Sequence, residues 1–140
     1  MKRMKTICLS LFATVFVLQG FSQTTQHWTV ELNSKTLLTA NTEDTTANTI
    51  AVKDLKKGSL IVTYVPGAVE GQRKRRIMVF NTGDRELYSE QTLSLVIPVK
   101  TLKKWKPTSP QIKIYTVPVL DEGGAVVRLR RVHLCTIRFD

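Results

Sequence analysis

Alternation of apolar and polar positions is the dominant pattern along the chain. Apolar residues recur at every second position in five short stretches, as they do in strands with one buried face. Turn sequences such as Lys57-Gly58 and Pro66-Gly67 separate these stretches, because glycine admits positive φ and proline presets a turn. The alternating sets are Trp28, Val30 and Leu32; Leu60, Val62 and Tyr64; Ile77 and Val79; Leu93, Leu95 and Ile97; and Ile112 and Ile114.

This pattern predicts an all-β fold. We expect a two-sheet antiparallel sandwich of about seven to eight short strands, with an Ig-like architecture. The stretch 60–65 is apolar on nearly both sides, which predicts a strand at the centre of its sheet. One helix of at most two turns is predicted over residues 98–105, where Leu102 and Trp105 lie three apart and lysines take the other face.

The last apolar stretch, residues 125–139, changes parity part of the way along. Val127 and Leu129 share one parity, whereas Val132 and Leu134 share the other. A β-bulge at the intervening Arg130-Arg131 pair would return these side chains to one face.

The N-terminus has the composition of a signal peptide. Basic residues at positions 2, 3 and 5 precede an apolar run at 7–18, which is too short to span a bilayer as a helix. Gly20 and Ser22 then supply small residues, which predicts cleavage between Ser22 and Gln23. We therefore expect a signal peptide at residues 1–22 and a single exported domain at residues 23–140, periplasmic or extracellular, with no transmembrane segment after cleavage.

The chain that remains after cleavage is basic and has a single cysteine. The sequence has 21 basic and 11 acidic residues, and the signal peptide takes three of the basic ones, which leaves a net charge of +7. Only Cys135 remains, so no disulfide can form within the domain. The Cys, Trp, Cys pattern of immunoglobulin domains is therefore impossible, and the likeness to them is one of architecture alone.

Basic residues fall in three clusters along the mature chain. Residues 73–76 are all basic, and we expect this run to leave the sheet as a loop or an overhanging strand end, since both of its faces cannot be core. Such clusters attract phosphates, sulfates or uronates, although they can also serve only to keep sheet edges soluble. Trp105 is predicted either to stack on a ligand or to cover one end of the sandwich. The candidate polyanion contacts are Arg73, Lys74, Arg75, Arg76, Lys103, Lys104, Trp105, Lys106, Arg128, Arg130 and Arg131.

No catalytic or metal-binding pattern stands out. His133 and Cys135 are two residues apart, so on a regular strand they would point the same way, but no acid is placed to orient the imidazole. Two histidines with one mature cysteine lack paired ligand spacing, and no phosphate-binding glycine loop occurs. We expect no catalytic residues, no metal and no cofactor.

These features predict an exported, non-catalytic binding module with a basic surface. Its expected partner is an anionic polysaccharide or lipopolysaccharide, or an envelope protein. The alternative is a structural or assembly subunit of a bacterial envelope complex, and a small hydrolase is the least favoured interpretation. A polyanion binder loses affinity as salt rises, whereas an apolar or edge-paired interface does not.

Overall fold

The computed structural model of this protein describes residues 25–68, 74–119 and 129–140. These residues contain nine strands and one short helix. The predicted signal peptide and its cleavage site lie outside these residues. In chain order the elements are β1 (His27–Leu32), β2 (Lys35–Ala40), β3 (Thr49–Val52), β4 (Ser59–Val65), β5 (Arg75–Phe80), β6 (Glu86–Gln91), β7 (Ser94–Pro98), α1 (Val99–Trp105), β8 (Gln111–Pro118) and β9 (Val132–Phe139).

The strands form two sheets, which confirms the predicted sandwich. Their orders are β2-β1-β4-β7 and β3-β9-β8-β5-β6. Neighbouring strands run antiparallel except β3 and β9, which are parallel. The described residues contain nine strands, one or two more than the seven to eight expected. The alternation pattern does not reveal β2, β3 or β6. Each of these lies at a sheet edge, and none has more than one fully buried side chain.

The core lies between the two sheets. β4 lies between β1 and β7, as predicted for a strand that is apolar on nearly both sides. Trp28 and Tyr64 stack within the first sheet, with ring centroids 6.2 Å apart and planes 22° apart. Because apolar burial drives folding, these inner faces supply most of the stabilisation. The most deeply buried side chains include Trp28, Val30, Leu60, Val62, Tyr64, Ile77, Val79, Leu95, Ile112, Ile114, Leu134, Cys135 and Ile137.

The helix α1 has the position and length predicted from the sequence. It follows Pro98 and ends at Trp105, two residues before Pro107. Leu102 is buried in the core, and Trp105 is half-buried against it, while the lysines of the helix are exposed. No helix in residues 25–68, 74–119 and 129–140 is both long and apolar enough to cross a bilayer.

The β-bulge in β9 lies at a different residue from the one predicted. Ile114 pairs with Cys135 and the next residue, Tyr115, pairs with His133, so Leu134 is the extra residue in the strand. Arg130 and its neighbour precede β9, and the start of the predicted stretch lies outside the described residues.

A hydrogen bond between the sheets explains why the bulge lies there. The indole Nε1–H of Trp28 donates to the carbonyl of Leu134 at 2.8 Å, inside the core. A bulge frees a backbone group from regular strand pairing, and a buried carbonyl needs a partner. Trp28 therefore stabilises the bulge from the opposite sheet.

Replacing Trp28 tests this link. Trp28→Phe keeps an aromatic ring but leaves the Leu134 carbonyl without a donor. We therefore expect the free energy of unfolding to fall by about 1–3 kcal/mol. Urea unfolding measures the change. Trp105→Phe is the matched control, because the Trp105 indole makes no hydrogen bond to a described residue, and it should cost clearly less. Equal losses in the two variants would show that the hydrogen bond is unimportant.

Candidate functional site

Arg75 contradicts the expectation that residues 73–76 leave the sheet. β5 begins at Arg75, which pairs with Pro118 in β8. Its side chain is only 4% exposed, with the guanidinium carbon 4.6 Å from the centroid of the Tyr64 ring and Nε donating to Oγ1 of Thr116 at 3.2 Å. Contact with a ring face and a hydrogen bond offset the cost of burying the charge. Arg75 is therefore not available to a ligand at the surface.

Two other predicted arginines also make internal contacts. Arg76 pairs within the sheet and donates from Nη1 to Oγ of Ser89 at 3.3 Å. Arg130 forms an ion pair with Glu43, whose second carboxylate oxygen accepts a hydrogen bond of 2.7 Å from the backbone N–H of His133. Arg76 thus joins β5 to β6, and Arg130 joins the segment before β9 to the loop between β2 and β3.

Arg131 lies over two aromatic rings on the outer face of the second sheet. Its guanidinium carbon is 4.8 Å from the ring centroid of Phe80 and 4.7 Å from that of Tyr115. Such contacts stabilise an exposed arginine by about 0.5–1 kcal/mol each. Arg73 and Arg128 lie outside the described residues.

Four lysines line an open depression of about 480 Å³. Lys53 and Lys56 come from the loop between β3 and β4, whereas Lys103 and Lys106 come from the last turn of α1 and the residue after it. Asp54, Leu55 and Pro107 complete the lining. The structure therefore brings part of one predicted basic cluster together with lysines from a distant segment.

The remaining predicted residues near the helix lie outside this depression. Lys104 is exposed but does not contribute to the lining, and Trp105 packs on the core. Trp105 thus has the covering position that was one of its two predicted roles. Lys74 is exposed just before β5 and lines none of the depressions described in this section.

Two further depressions adjoin the first. They measure about 730 and 430 Å³, and Lys56 lines both of them as well as the first. Lys57 lines the larger one and Lys35 the smaller one. We call the six lysines around the three depressions the lysine end: Lys35, Lys53, Lys56, Lys57, Lys103 and Lys106.

Backbone geometry holds the three segments of the lysine end together. Asn33 and Ser34 have φ of 51° and 66°, as the two central residues of a type I′ hairpin turn require. The N–H of Asn33 donates to the carbonyl of Ser59, and the N–H of Val99 donates to the carbonyl of Gly58. Gly58 has φ of 129°, and a Cβ added there would lie 1.6 Å from Oδ1 of Asn33. Only glycine suits this close approach.

The positive charge of the lysine end is not neutralised by the described residues. All six lysines are exposed, and none forms an ion pair within the described chain. The ion pairs between described residues are those of Arg130 with Glu43 and Arg138 with Asp140. Asp54 lines two of the depressions without forming an ion pair. A positive potential therefore remains at this end of the molecule.

Only two of the six lysines of the lysine end, Lys103 and Lys106, are among the contacts predicted from the sequence. The other four, Lys35, Lys53, Lys56 and Lys57, are not among them. Residues 53–57 contain three lysines and run into the Lys57-Gly58 turn, and this local density of lysine is a signal that the sequence offers.

The structure does not bring His133 and Cys135 together. The bulge at Leu134 places Cys135 beside Ile114 in the core and His133 beside Tyr115 on the outer face, contrary to the expectation that they point the same way. Burial raises the pKa of the Cys135 thiol to about 12, so the thiol is protonated and unreactive at neutral pH. No group of three or more metal-ligating side chains occurs among the described residues.

His133 is a buried histidine with an incomplete set of partners. It is 5% exposed, its Nε2 is 2.9 Å from Oγ1 of Thr136, and its Nδ1 has no hydrogen-bond partner within the described chain. Burial lowers the pKa of His133 below its ordinary value of 6.5; the carboxylate of Glu43 opposes this shift, and Lys113 adds to it. The neutral imidazole is therefore favoured in the folded protein.

This environment predicts a loss of stability in mild acid. Because the pKa of His133 is lower in the folded state, the unfolded chain binds more protons below pH of about 6.5, and the free energy of unfolding falls as pH decreases from there. Thermal or urea unfolding between about pH 7 and 5.5 measures this slope. His133→Gln should make the free energy of unfolding less dependent on pH in this range. His27→Gln, which alters the other histidine, should leave that pH dependence unchanged. An unchanged slope in His133→Gln would contradict the assignment.

Comparison with known proteins provides no relative from which a function could be transferred. No protein-family model, curated protein or solved structure matches the chain. The charge, shape and exposure of the lysine end therefore provide the basis for a functional proposal.

Proposed function

We propose that this protein is an exported, non-catalytic binding module whose lysine end binds an anionic polymer of the cell envelope or the extracellular space. The observation that carries the proposal is the set of six exposed lysines around three adjoining depressions, with no ion pair to a described carboxylate. The predicted signal peptide supports export to a compartment that contains anionic polysaccharides and lipopolysaccharide.

The different environments of the arginines and the lysines support the choice of the lysine end as the binding surface. The described arginines among the predicted contacts hold ring, hydroxyl or carboxylate partners within the protein. A ligand would have to replace those contacts before it could use the arginine charge. The lysines of the lysine end need no such exchange, so the whole of their attraction is available to a ligand.

Concavity also favours the lysine end. Ligand sites are usually concave, because a depression contacts a ligand from several sides. Lys53 and Lys56 face the depression from one segment, and Lys103 and Lys106 face it from another. An anion bound there would approach lysines from two segments that are distant in sequence.

Removal of four lysines tests the proposal. In the first variant Lys53, Lys56, Lys103 and Lys106 become Gln, and the salt dependence of binding to a sulfated polysaccharide column is measured. Each charge contact contributes about 0.7–0.9 to the slope of log affinity against log salt, so the slope should become shallower by roughly 3.

The control removes the same number of charges elsewhere. Lys74, Arg85, Lys100 and Lys104 are all exposed and line none of the three depressions. Changing these four residues to Gln should leave most of the protein's retention on the sulfated polysaccharide column. Equal loss in both variants would show that net charge alone drives binding. Association that does not respond to salt would instead support the assembly subunit that pairs through apolar surfaces or sheet edges.

A further inference from the structure

The three depressions of the lysine end share several of their lining residues. Lys56 lines all three, Lys53 and Asp54 line two, and Asn33 joins the other pair. The path runs from the end of α1 across the loop between β3 and β4 to the turn between β1 and β2. A ligand that occupied the whole path would cross three segments that are distant in sequence.

The size of this path exceeds that of a single small anion. The depressions measure about 480, 730 and 430 Å³, and each is within the range of about 300–1,000 Å³ that holds a complete small ligand. One exposed ion pair strengthens binding by about fivefold at most, so an isolated ion would bind weakly. Several anionic groups on one chain bind far more strongly, because each further contact is intramolecular.

The lining combines ammonium groups with apolar carbon. Leu55 and Pro107 accompany the lysines in the first depression, Ile61 in the second, and Leu37 and Val52 in the third. No arginine of the described segments lines any of them. Lysine acts as a point charge and lacks the bidentate fork with which arginine binds carboxylates and phosphates, so its attraction depends on the density of negative charge in the ligand. This lining suits a chain with both dense negative charge and apolar surface between the charges.

We propose that the three depressions form one site for a sulfated or phosphorylated polysaccharide, with Lys56 at the junction of its subsites. This inference rests on the proposed function and gives it a ligand class. Ester groups of the polymer meet the lysines, while the carbon faces of its sugar rings lie on the apolar residues. Lys56 contacts the chain whichever two subsites are filled, so it contributes most to affinity.

Chain length and charge type provide the test. The purified protein is titrated by calorimetry with sulfated oligosaccharides from a disaccharide upward, and with long-chain inorganic polyphosphate, which has charge but no sugar rings. Affinity should rise steeply with oligosaccharide length and then level off when the path is filled. The longest oligosaccharide should bind more tightly per charge than polyphosphate does.

Single variants test the role of Lys56. Lys56→Gln should weaken binding of the long oligosaccharide by about fivefold, the upper range for one exposed ion pair. Lys35→Gln and Lys106→Gln, at lysines that each line only one depression, should each weaken it less. Lys104 is exposed but does not line the depressions, so Lys104→Gln should leave the affinity unchanged.

Different outcomes of these experiments would contradict this inference and the proposed function. Equal affinity for the disaccharide and the long oligosaccharide would overturn the continuous site. Equal affinity per charge for polyphosphate would overturn the polysaccharide assignment. Both results would leave polyanion binding intact. Absence of binding to every polyanion would overturn the proposed function and the inference together.

Discussion

The hydrogen bond from the Trp28 indole to the Leu134 carbonyl joins the two sheets at the one irregular point of β9. A carbonyl released by a bulge is costly in an apolar core unless a donor reaches it, and Trp28 supplies that donor from the facing sheet. The bulge then sends Cys135 into the core and His133 to the outer face. The register of β9 on β8 and the separation of these two side chains thus depend on the bulge that this buried contact stabilises.

The chemistry of the two basic side chains explains where the charge is available. Guanidinium is planar, weakly hydrated and stacks on aromatic rings, so Arg75 and Arg131 can lie over rings as part of the structure. An ammonium group is compact and strongly hydrated, and it stays in solvent. The protein consequently has structural arginines on the sheets and free lysines at the lysine end. Clusters that look equivalent along the chain therefore have different roles.

The sequence predicted the central strands and the helix because their burial is regular. In β4 the buried residues alternate along the whole strand, whereas the edge strands β2 and β6 have no fully buried side chain. The parity change before Val132 predicted a bulge at Arg130-Arg131, whereas the bulge lies at Leu134, beyond that change. Only the tertiary contact with Trp28 selects Leu134. Only two of the six lysines of the lysine end belong to a cluster predicted from the sequence, because this surface assembles segments that lie far apart along the chain.

Lysine acetylation in the presence and absence of a sulfated polysaccharide tests the binding surface most directly. Mass spectrometry of the modified protein reports the reactivity of every lysine at once. The account predicts that the polymer protects Lys53, Lys56, Lys103 and Lys106, while Lys74 and Lys104 remain reactive. Uniform protection, or protection confined to lysines outside the lysine end, would contradict it.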